Sequence, residues 1–315
     1  ERLRATLLDR FDAGLEAGED SAGGASRGGL WRAMLTGRKD GLLPEQRDRF
    51  EAAGVLHLFA VSGLHIGLMT GALLALAGLT GLRREVRLGL PLVIVGLFVW
   101  LIGAPPSAVR AWLMLTTWVT ARLIYRRPCG LSALAASALL LLVVAPRQLF
   151  GVGFQLSYLV MAGILGYGAP AASEVTQWVL GRQQGGWRDG LWATVGNVAR
   201  AACASASAIL FGAPLVLAYF GQMSGIGLLT NLVLIPAAGV AVPLGLASGL
   251  AGMLGWYGLA ADLNTVGYRW LAAMEATAAW ASEIPGGVWP LSLPSAGWTL
   301  GAVALLLACL MLPRG

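Results

Sequence analysis

Residues 201–261 read AACASASAILFGAPLVLAYFGQMSGIGLLTNLVLIPAAGVAVPLGLASGLAGMLGWYGLAA, and these 61 residues contain no Asp, Glu, Lys or Arg. A helix needs about 20 apolar residues to cross the ~30 Å hydrocarbon core of a bilayer. The stretch must therefore hold at least two membrane crossings. It predicts an all-α integral membrane protein.

The composition of the whole chain agrees with this prediction. Of its 315 residues, 57% are hydrophobic and 12% are charged, whereas an ordinary soluble domain has about 25% charged residues. The three cysteines and two histidines exclude a disulfide framework and any site that needs a cluster of histidines. The sequence has no phosphate-binding glycine loop, nucleotide fingerprint or metal motif, so we expect no cofactor and no bound metal.

Further uncharged runs that are long enough for a crossing cover residues 56–82, 88–109, 128–146, 148–173 and 284–313. Residues 111–121 form a shorter run, which becomes a crossing if Arg110 and Arg122 extend their charged ends toward the headgroups. The pattern predicts a polytopic helical bundle of about eight to ten membrane segments.

Residues 1–55 differ from the rest of the chain because they contain 9 basic and 10 acidic residues. Two amphipathic stretches flank a Gly/Ser-rich segment, which predicts a charged head or linker without a core of its own. Residues 56–315 are predicted to form the membrane channel domain. The first residue is Glu1 rather than Met, and no signal peptide is visible, so we expect the chain to be part of a longer protein.

The arginines predict the orientation in the membrane. Basic loops follow the first, third and fifth crossings, and they hold Arg83, Arg84 and Arg87, then Arg122, Arg126 and Arg127, then Arg182 and Arg188. The loop after the fourth crossing has only Arg147. Because basic loops face the cytoplasm, residues 1–55 are predicted to be extracytoplasmic.

Residues 226–257 do not have the length of a simple crossing. As one helix these 32 residues would be ~48 Å long, which is too long for one ~30 Å crossing and too short for two. The segment contains Asn231, Pro236 and Pro243. Two interpretations stay open: a long tilted helix that is kinked at its prolines, or a broken or re-entrant helix that lines a cavity.

The first crossing carries glycines and polar residues on different faces. Gly63, Gly67 and Gly71 recur every four residues, which allows another helix to approach closely. Ser62 and His65 share a second face. Three interpretations of that face stay open: hydrogen bonds to neighbouring helices, the lining of a pore, or a Ser/His hydrolase dyad. For the dyad, no group in the crossing would orient the histidine.

Other polar residues within crossings are candidates for a pathway. Arg110 either extends to the headgroups or faces the bundle interior, and Gln155 either joins helices or lines a path. Inserting an arginine such as Arg200 costs about 2.5–3.5 kcal/mol. Arg200 is interpreted either as a positive lining for an anionic passenger or as an ion-pair partner of Asp262 or Glu275.

Five blocks follow one another in the membrane part: HLFAVSGLHIG at 57–67, PSAVRA at 106–111, GFQLSY at 153–158, YFGQMSG at 219–225 and NLVLIP at 231–236. The stretch MLTGRKDGLLP at 34–44 precedes them. Together these blocks resemble the competence domain of the ComEC/Rec-type DNA-internalisation family, in order over residues 30–245.

The resemblance implies a bacterial inner-membrane channel that passes one DNA strand into the cytoplasm during natural transformation. The implied partners are single-stranded DNA, the lipid bilayer and other competence proteins, namely a DNA receptor and a cytoplasmic translocase. Full-length relatives often add an N-terminal soluble domain and a C-terminal metallo-β-lactamase-like domain, and we expect both to be missing from this chain. The resemblance implies no catalytic residues in the membrane part, so we expect no enzyme activity.

The candidate pathway or DNA-contact residues are Ser62, His65, Arg110, Gln155, Ser157, Arg200 and Asn231, and the candidates for a helix break are Pro236 and Pro243. Two other functions stay open. One is a secondary transporter of small anionic solutes, which would need a closed, ligand-sized pocket. The other is an intramembrane hydrolase centred on Ser62 and His65.

The predicted orientation can be tested by cysteine labelling. A cysteine introduced at Ser26 should react with a membrane-impermeant thiol reagent in intact spheroplasts, because the head is predicted to be extracytoplasmic. A cysteine at Glu85 should be protected in the same cells. The reverse labelling pattern would contradict the orientation.

Overall fold

The computed structural model of the chain describes residues 2–18, 27–38, 42–59, 61, 63–180, 188–285, 287–291 and 296–311. The helices are α1 (Arg2–Glu16), α2 (Arg27–Thr36), α3 (Pro44–Ala52), α4 (Gly63–Gly78), α5 (Arg84–Leu101), α6 (Pro106–Leu123), α7 (Gly130–Val144), α8 (Val152–Gly163), α9 (Ala169–Leu180), α10 (Arg188–Phe220), α11 (Gly227–Met253), α12 (Tyr257–Ser282) and α13 (Ala296–Met311). Turns of 3₁₀ helix cover Leu56–Phe59 and Pro146–Phe150, and a π-helical turn, Ile164–Gly168, joins α8 to α9.

The prediction of an all-α membrane bundle is confirmed. Three helical stretches are long and apolar enough to cross a membrane: Val152–Trp178, Trp192–Phe220 and Gly227–Met253. Shorter apolar helices cover Gly63–Gly78, Gly130–Val144 and Gly297–Leu310. The number of crossings stays a prediction.

The chain forms two compact units. Unit 1 contains Glu1–Cys129 and Val233–Pro285, and unit 2 contains Gly130–Leu232 and Gly286–Gly315. Each unit therefore combines segments that are distant in sequence.

The packing of α4, α5 and α6 forms one apolar core of unit 1. Its buried core includes Ile66, Val95 and Val99. Gly96 makes room for the indole of Trp112, whose ring atoms lie 3.1 Å from the position that a Cβ would take. The Nε1–H of Trp112 donates to the Leu92 carbonyl at 2.9 Å. A glycine and a tryptophan thus bring α5 and α6 together and join them by a hydrogen bond.

The head is packed against α11 and α12. Phe11 of α1 and Trp31 of α2 are fully buried, so both rings are enclosed by the neighbouring helices. A Cβ at Gly249 would collide with the ring of Phe11, and a Cβ at Gly267 would collide with that of Trp31. The glycines of α11 and α12 therefore provide the space that the aromatic side chains of the head occupy.

Buried side chains of α11 and α12 also bind the end of α1. The Asn264 Nδ2 amide donates to the main-chain oxygens of Gly14, Leu15 and Ala17 at 2.9, 3.3 and 2.7 Å. The Tyr268 hydroxyl donates to the Leu15 oxygen at 2.6 Å. The last carbonyls of a helix have no partner within that helix, so these donors satisfy groups that would otherwise be buried without one.

Ser248 completes this group of donors, which we call the α1 clamp (Ser248, Asn264 and Tyr268). Its hydroxyl lies 2.6 Å from the Asn264 Oδ1 and 2.9 Å from the Gly14 oxygen. Ser248 and Asn264 are completely buried. A buried polar network of this kind specifies a single docked position for α1 because each unmade bond carries a desolvation cost.

Two ion pairs join the first two helical segments of the head. The Arg32 Nη1 lies 3.2 Å from the Glu16 Oε1, and the Arg38 Nη1 lies 3.1 Å from the Asp12 Oδ2. Burial raises the pKa of Asp12 to about 6, although Arg38 and Arg32 act in the opposite direction. The apolar surroundings of this carboxyl group therefore outweigh its cationic neighbours.

In unit 2, the α8–α9 segment packs along α10. A Cβ at Gly163 would collide with the ring of Phe211, and a Cβ at Gly168 would lie 3.1 Å from the Ser207 Oγ. Between these two glycines the helix widens into its π-helical turn. The small residues allow the two backbones to approach as closely as they do in other membrane helix pairs.

Residues 227–253 form one helix. α11 has 27 residues, and Pro236 and Pro243 lie inside it. Of the two interpretations of this segment, the structure has the continuous helix and not the broken or re-entrant one. A proline removes its own N–H from the ladder and its ring crowds the carbonyl four residues earlier, yet α11 continues through both prolines.

A small sheet that the sequence did not predict lies in unit 2. Strand β1 (Gln222–Ser224) pairs antiparallel with β2 (Val288–Pro290), and Met223 lies opposite Trp289. The Gly225 N–H donates to the Gly287 oxygen at 2.8 Å. Strands of three residues are too short to show the alternation by which strands are predicted.

Replacing the central residue of the α1 clamp should destabilise the protein. Asn264→Leu keeps a similar volume but removes the side-chain donor to the Ala17 oxygen, at about 1–3 kcal/mol for a buried group left without a donor. The Gly14 and Leu15 oxygens keep their bonds to Ser248 and Tyr268. We expect the midpoint of thermal unfolding in detergent to fall by about 2 °C or more.

Thr265→Ala is the matched control, because Thr265 is the next residue of α12 and its exposed hydroxyl bonds within its own helix, to the Ala261 oxygen. It should unfold at the wild-type temperature. An Asn264→Leu protein that unfolds with this control would show that the clamp does not stabilise α1.

Candidate functional site

The blocks that carry the predicted site residues meet in pairs. In unit 1, block 57–67 at the start of α4 packs against block 106–111 at the start of α6. In unit 2, block 153–158 in α8 meets block 219–225 at the end of α10.

The first pair is joined by Ser107. Its hydroxyl donates to the Val61 oxygen at 2.6 Å, and α6 has no side-chain cap at its start. A Cβ on Gly63 would lie 3.7 Å from the Ala111 Cβ, in ordinary contact. The two blocks therefore touch at the level where both helices begin.

His65 and Arg110, one from each of these blocks, are both buried. His65 is 2% exposed and Arg110 is 6% exposed. Of the two positions considered for Arg110, the structure has the interior one. An arginine in such a place requires polar surroundings, since an isolated charge in an apolar interior is costly. Ser62 lies outside the described residues.

The second pair is joined by Gln155. Its Oε1 accepts a hydrogen bond from the Tyr219 hydroxyl at 2.9 Å, and its Nε2 donates to the Leu149 oxygen at 3.1 Å. One turn further along α8, the Tyr158 hydroxyl lies 3.3 Å from the Ser137 hydroxyl of α7. Ser157 is half-buried beside them. Two separate polar contacts thus join α8 to α7 and to the end of α10.

Sequence reasoning did not select Tyr219 as a candidate. Tyr219 is the first residue of the block YFGQMSG, but an aromatic residue at the end of a crossing is also typical of the membrane interface. Only the fold shows that its hydroxyl meets Gln155.

Arg200 occupies a different environment from Arg110. Its side chain is exposed on α10 and donates to the Asn197 carboxamide oxygen one turn earlier. Glu275, one of the acidic partners considered for it, accepts a hydrogen bond from the Gln46 Nε2 at 2.9 Å. The pathway role of Arg200 stays a prediction.

The remaining candidate lies near the start of α11. Asn231 is half-buried, and its Oδ1 is buried with no hydrogen-bond partner among the described residues. In the same described part of the chain, no three His, Cys, Asp or Glu side chains come together as a group that could hold a metal ion.

Two known proteins are similar to part of this chain. One is the ComE operon protein 3 of Bacillus subtilis (strain 168), which is 34% identical over 137 residues, or 44% of this chain and 18% of the relative. The other is a protein of Aquifex aeolicus (strain VF5) named only as uncharacterized, which is 34% identical over 137 residues, or 42% of this chain and 32% of the relative. The chain thus matches less than a third of the length of each relative.

No solved structure matches the chain significantly. The Competence protein family matches residues 34–315, which include both pairs of blocks. Because this match extends over most of the sequence, the chain belongs to the Competence protein family.

Proposed function

We propose that this chain forms a membrane channel through which single-stranded DNA enters the bacterial cytoplasm during natural transformation. The observation that carries the proposal is the family match over residues 34–315. It is supported by the relative named ComE operon protein 3 and by apolar helices that are long enough to cross a bilayer.

A DNA strand carries one negative charge per nucleotide, so a path across an apolar bundle needs cationic or polar groups along it. Arg110 supplies a buried cation in unit 1, and Arg200 supplies an exposed one in unit 2. Gln155 and Tyr219 add polar groups that hold a fixed geometry. In the proposed channel these side chains take over part of the solvation of the phosphates.

The proposal places the chain in the bacterial inner membrane with its head outside. It also assigns the chain partners in the same process: a DNA receptor on the outer side and a translocase in the cytoplasm. The chain's own task is conduction, not chemistry, so the degradation of the other strand belongs to a different domain or protein.

The channel role is tested by measuring transformation in a competent bacterium whose own protein of this family is replaced by this one. Arg200→Ala should lower transformant yield by about tenfold, the change expected when ~1.4 kcal/mol of phosphate stabilisation is lost. Arg200→Lys should lower it less, because it keeps the charge but loses the planar fork.

Arg110→Ala and Arg110→Lys test the buried cation in the same way, with the amount of folded protein in the membrane measured alongside. Arg127→Ala, an exposed arginine in a loop, is the control and should leave the yield unchanged. If both alanine variants are present at wild-type levels and transform normally, the arginines are not on a DNA path. If the variants block uptake of small anions but not of DNA, the transporter function is correct instead.

A second measurement concerns chemistry. The purified chain should not cut DNA or peptides, because an oriented nucleophile or a metal centre is required for either reaction. Labelled single- and double-stranded DNA should stay intact in the presence of Mg²⁺, Mn²⁺ or Zn²⁺. Cleavage that co-purifies with the chain and persists in a His57→Ala/His65→Ala variant would contradict this expectation.

A further inference from the structure

One end of unit 2 gathers exposed aromatic rings. The start of α8, the end of α10 and the β1–β2 pair meet there. Gln155 connects Tyr219 with Leu149, and the Leu291 N–H donates to the Gly221 oxygen at 3.1 Å. We call this region the aromatic end; its rings are Phe150, Tyr219, Phe220 and Trp289.

These rings are accessible, and two of them are held in place. Their exposed fractions are 80% for Phe150, 47% for Tyr219, 61% for Phe220 and 48% for Trp289. The hydroxyl of Tyr219 is bound by Gln155. The indole of Trp289 lies over Gly225, 2.9 Å from the position of a Cβ there. A ring that is already fixed loses little freedom when a ligand stacks on it.

The charge at this end suits a phosphodiester. Unit 2 contains two acidic residues, Glu174 and Asp189. Glu174 lies roughly 28 Å of helix beyond Gln155, and Asp189 lies at the opposite end of α10 from Tyr219. Within unit 2, the charged residue nearest in sequence to these rings is Arg147, which is exposed in the turn before Phe150. Among the described residues of unit 2, a strand of phosphates would meet a cation there and no carboxylate; in unit 1, the exposed Glu283 lies four residues before Gly287 in sequence.

The orientation predicted from the arginines puts this end outside the cell, because the loop after the fourth crossing contains Arg147 alone. Incoming DNA would therefore reach the aromatic end before the interior of the bundle. Exposed aromatic rings also suit the headgroup layer of a bilayer, but that role does not require the hydrogen-bonded geometry of Tyr219.

We propose that the aromatic end is the entry site for the single strand, where bases stack on Trp289, Tyr219 and Phe150 while Arg147 contacts the backbone. This inference rests on the proposed function. Stacking on aromatic side chains accepts every base because each has a π face. It is therefore the mode of binding that a channel for DNA of any sequence requires.

The test measures binding of fluorescein-labelled (dT)20 to the full chain in nanodiscs of zwitterionic phosphatidylcholine, which carry no net charge. Trp289→Leu should weaken binding by at least about fivefold, the loss of one stacked base. Trp289→Phe should retain most of the affinity, because it keeps an aromatic face. Trp298→Leu, at an exposed tryptophan of α13, is the matched control and should bind as the wild type does.

Arg147→Ala gives a second, independent measurement. It should reduce the slope of log affinity against log salt by about 0.7, the value for one phosphate contact on a single strand. Photocross-linking of 5-iodo-deoxyuridine strands should label Trp289 or Tyr219, and mass spectrometry would locate the label.

Wild-type binding together with equal binding by Trp289→Leu would overturn the entry site and leave the proposed function intact. If Trp289→Leu and Trp298→Leu instead lower the yield of inserted protein equally and leave affinity unchanged, the rings anchor the chain at the bilayer surface and the entry site is wrong. A wild-type chain that supports no DNA uptake in the transformation assay would contradict the proposed function itself.

Discussion

The structure depends on one constraint: a backbone carbonyl or N–H group that is removed from water must find its partner within the protein. Long helices satisfy most of these groups internally, and side chains from neighbouring helices satisfy groups at their ends. Asn264 and Tyr268 do so for the end of α1, and Ser107 does so for Val61 before α4. The Arg4 Nε donates in the same way to the Leu101 oxygen at the end of α5, at 3.0 Å. Each of these bonds joins two elements of unit 1, so the satisfaction of helix ends also determines which helices pack together.

Glycine residues also determine how closely the helices pack. In lipid there is no hydrophobic driving force between helices, so the helices associate through close packing. Glycine allows close packing where a large aromatic ring faces a backbone. Trp31 lies against Gly267, and Trp289 lies against Gly225. Because the ring fills the space of the missing Cβ, each pair holds an aromatic side chain in one orientation. The pairing of an aromatic ring with a glycine therefore packs the head in unit 1 and holds an exposed indole in unit 2. That indole is part of the inferred entry site.

The polar side chains, unlike the aromatic rings that pack against glycines, occupy both buried and exposed positions. Arg110 is buried, whereas Arg200 is exposed beside Asn197. A buried cation of this kind has a high cost of insertion, and a role in recognising an anionic passenger would account for its presence. Gln155 and Tyr219 show that the polar residues of separate blocks can form one hydrogen-bonded pair. In the proposed channel, the buried Arg110 contacts the phosphate of a nucleotide, and the aromatic end contacts its base.

The amino-acid sequence alone determined the class of fold, because uncharged runs of about 20 residues or more have few stable alternatives to helices in a bilayer. It also located the blocks, and with them His65, Arg110 and Gln155. Only the tertiary structure decided which of two backbone paths α11 takes, since prolines at 236 and 243 are compatible with a kink or a break. It alone brought Tyr219 to Gln155, separated by 64 positions in sequence, and α1 to Asn264. Contacts between residues so far apart in sequence depend on how the helices pack. Helical periodicity indicates which face of a helix is apolar but not which neighbouring helix that face will contact.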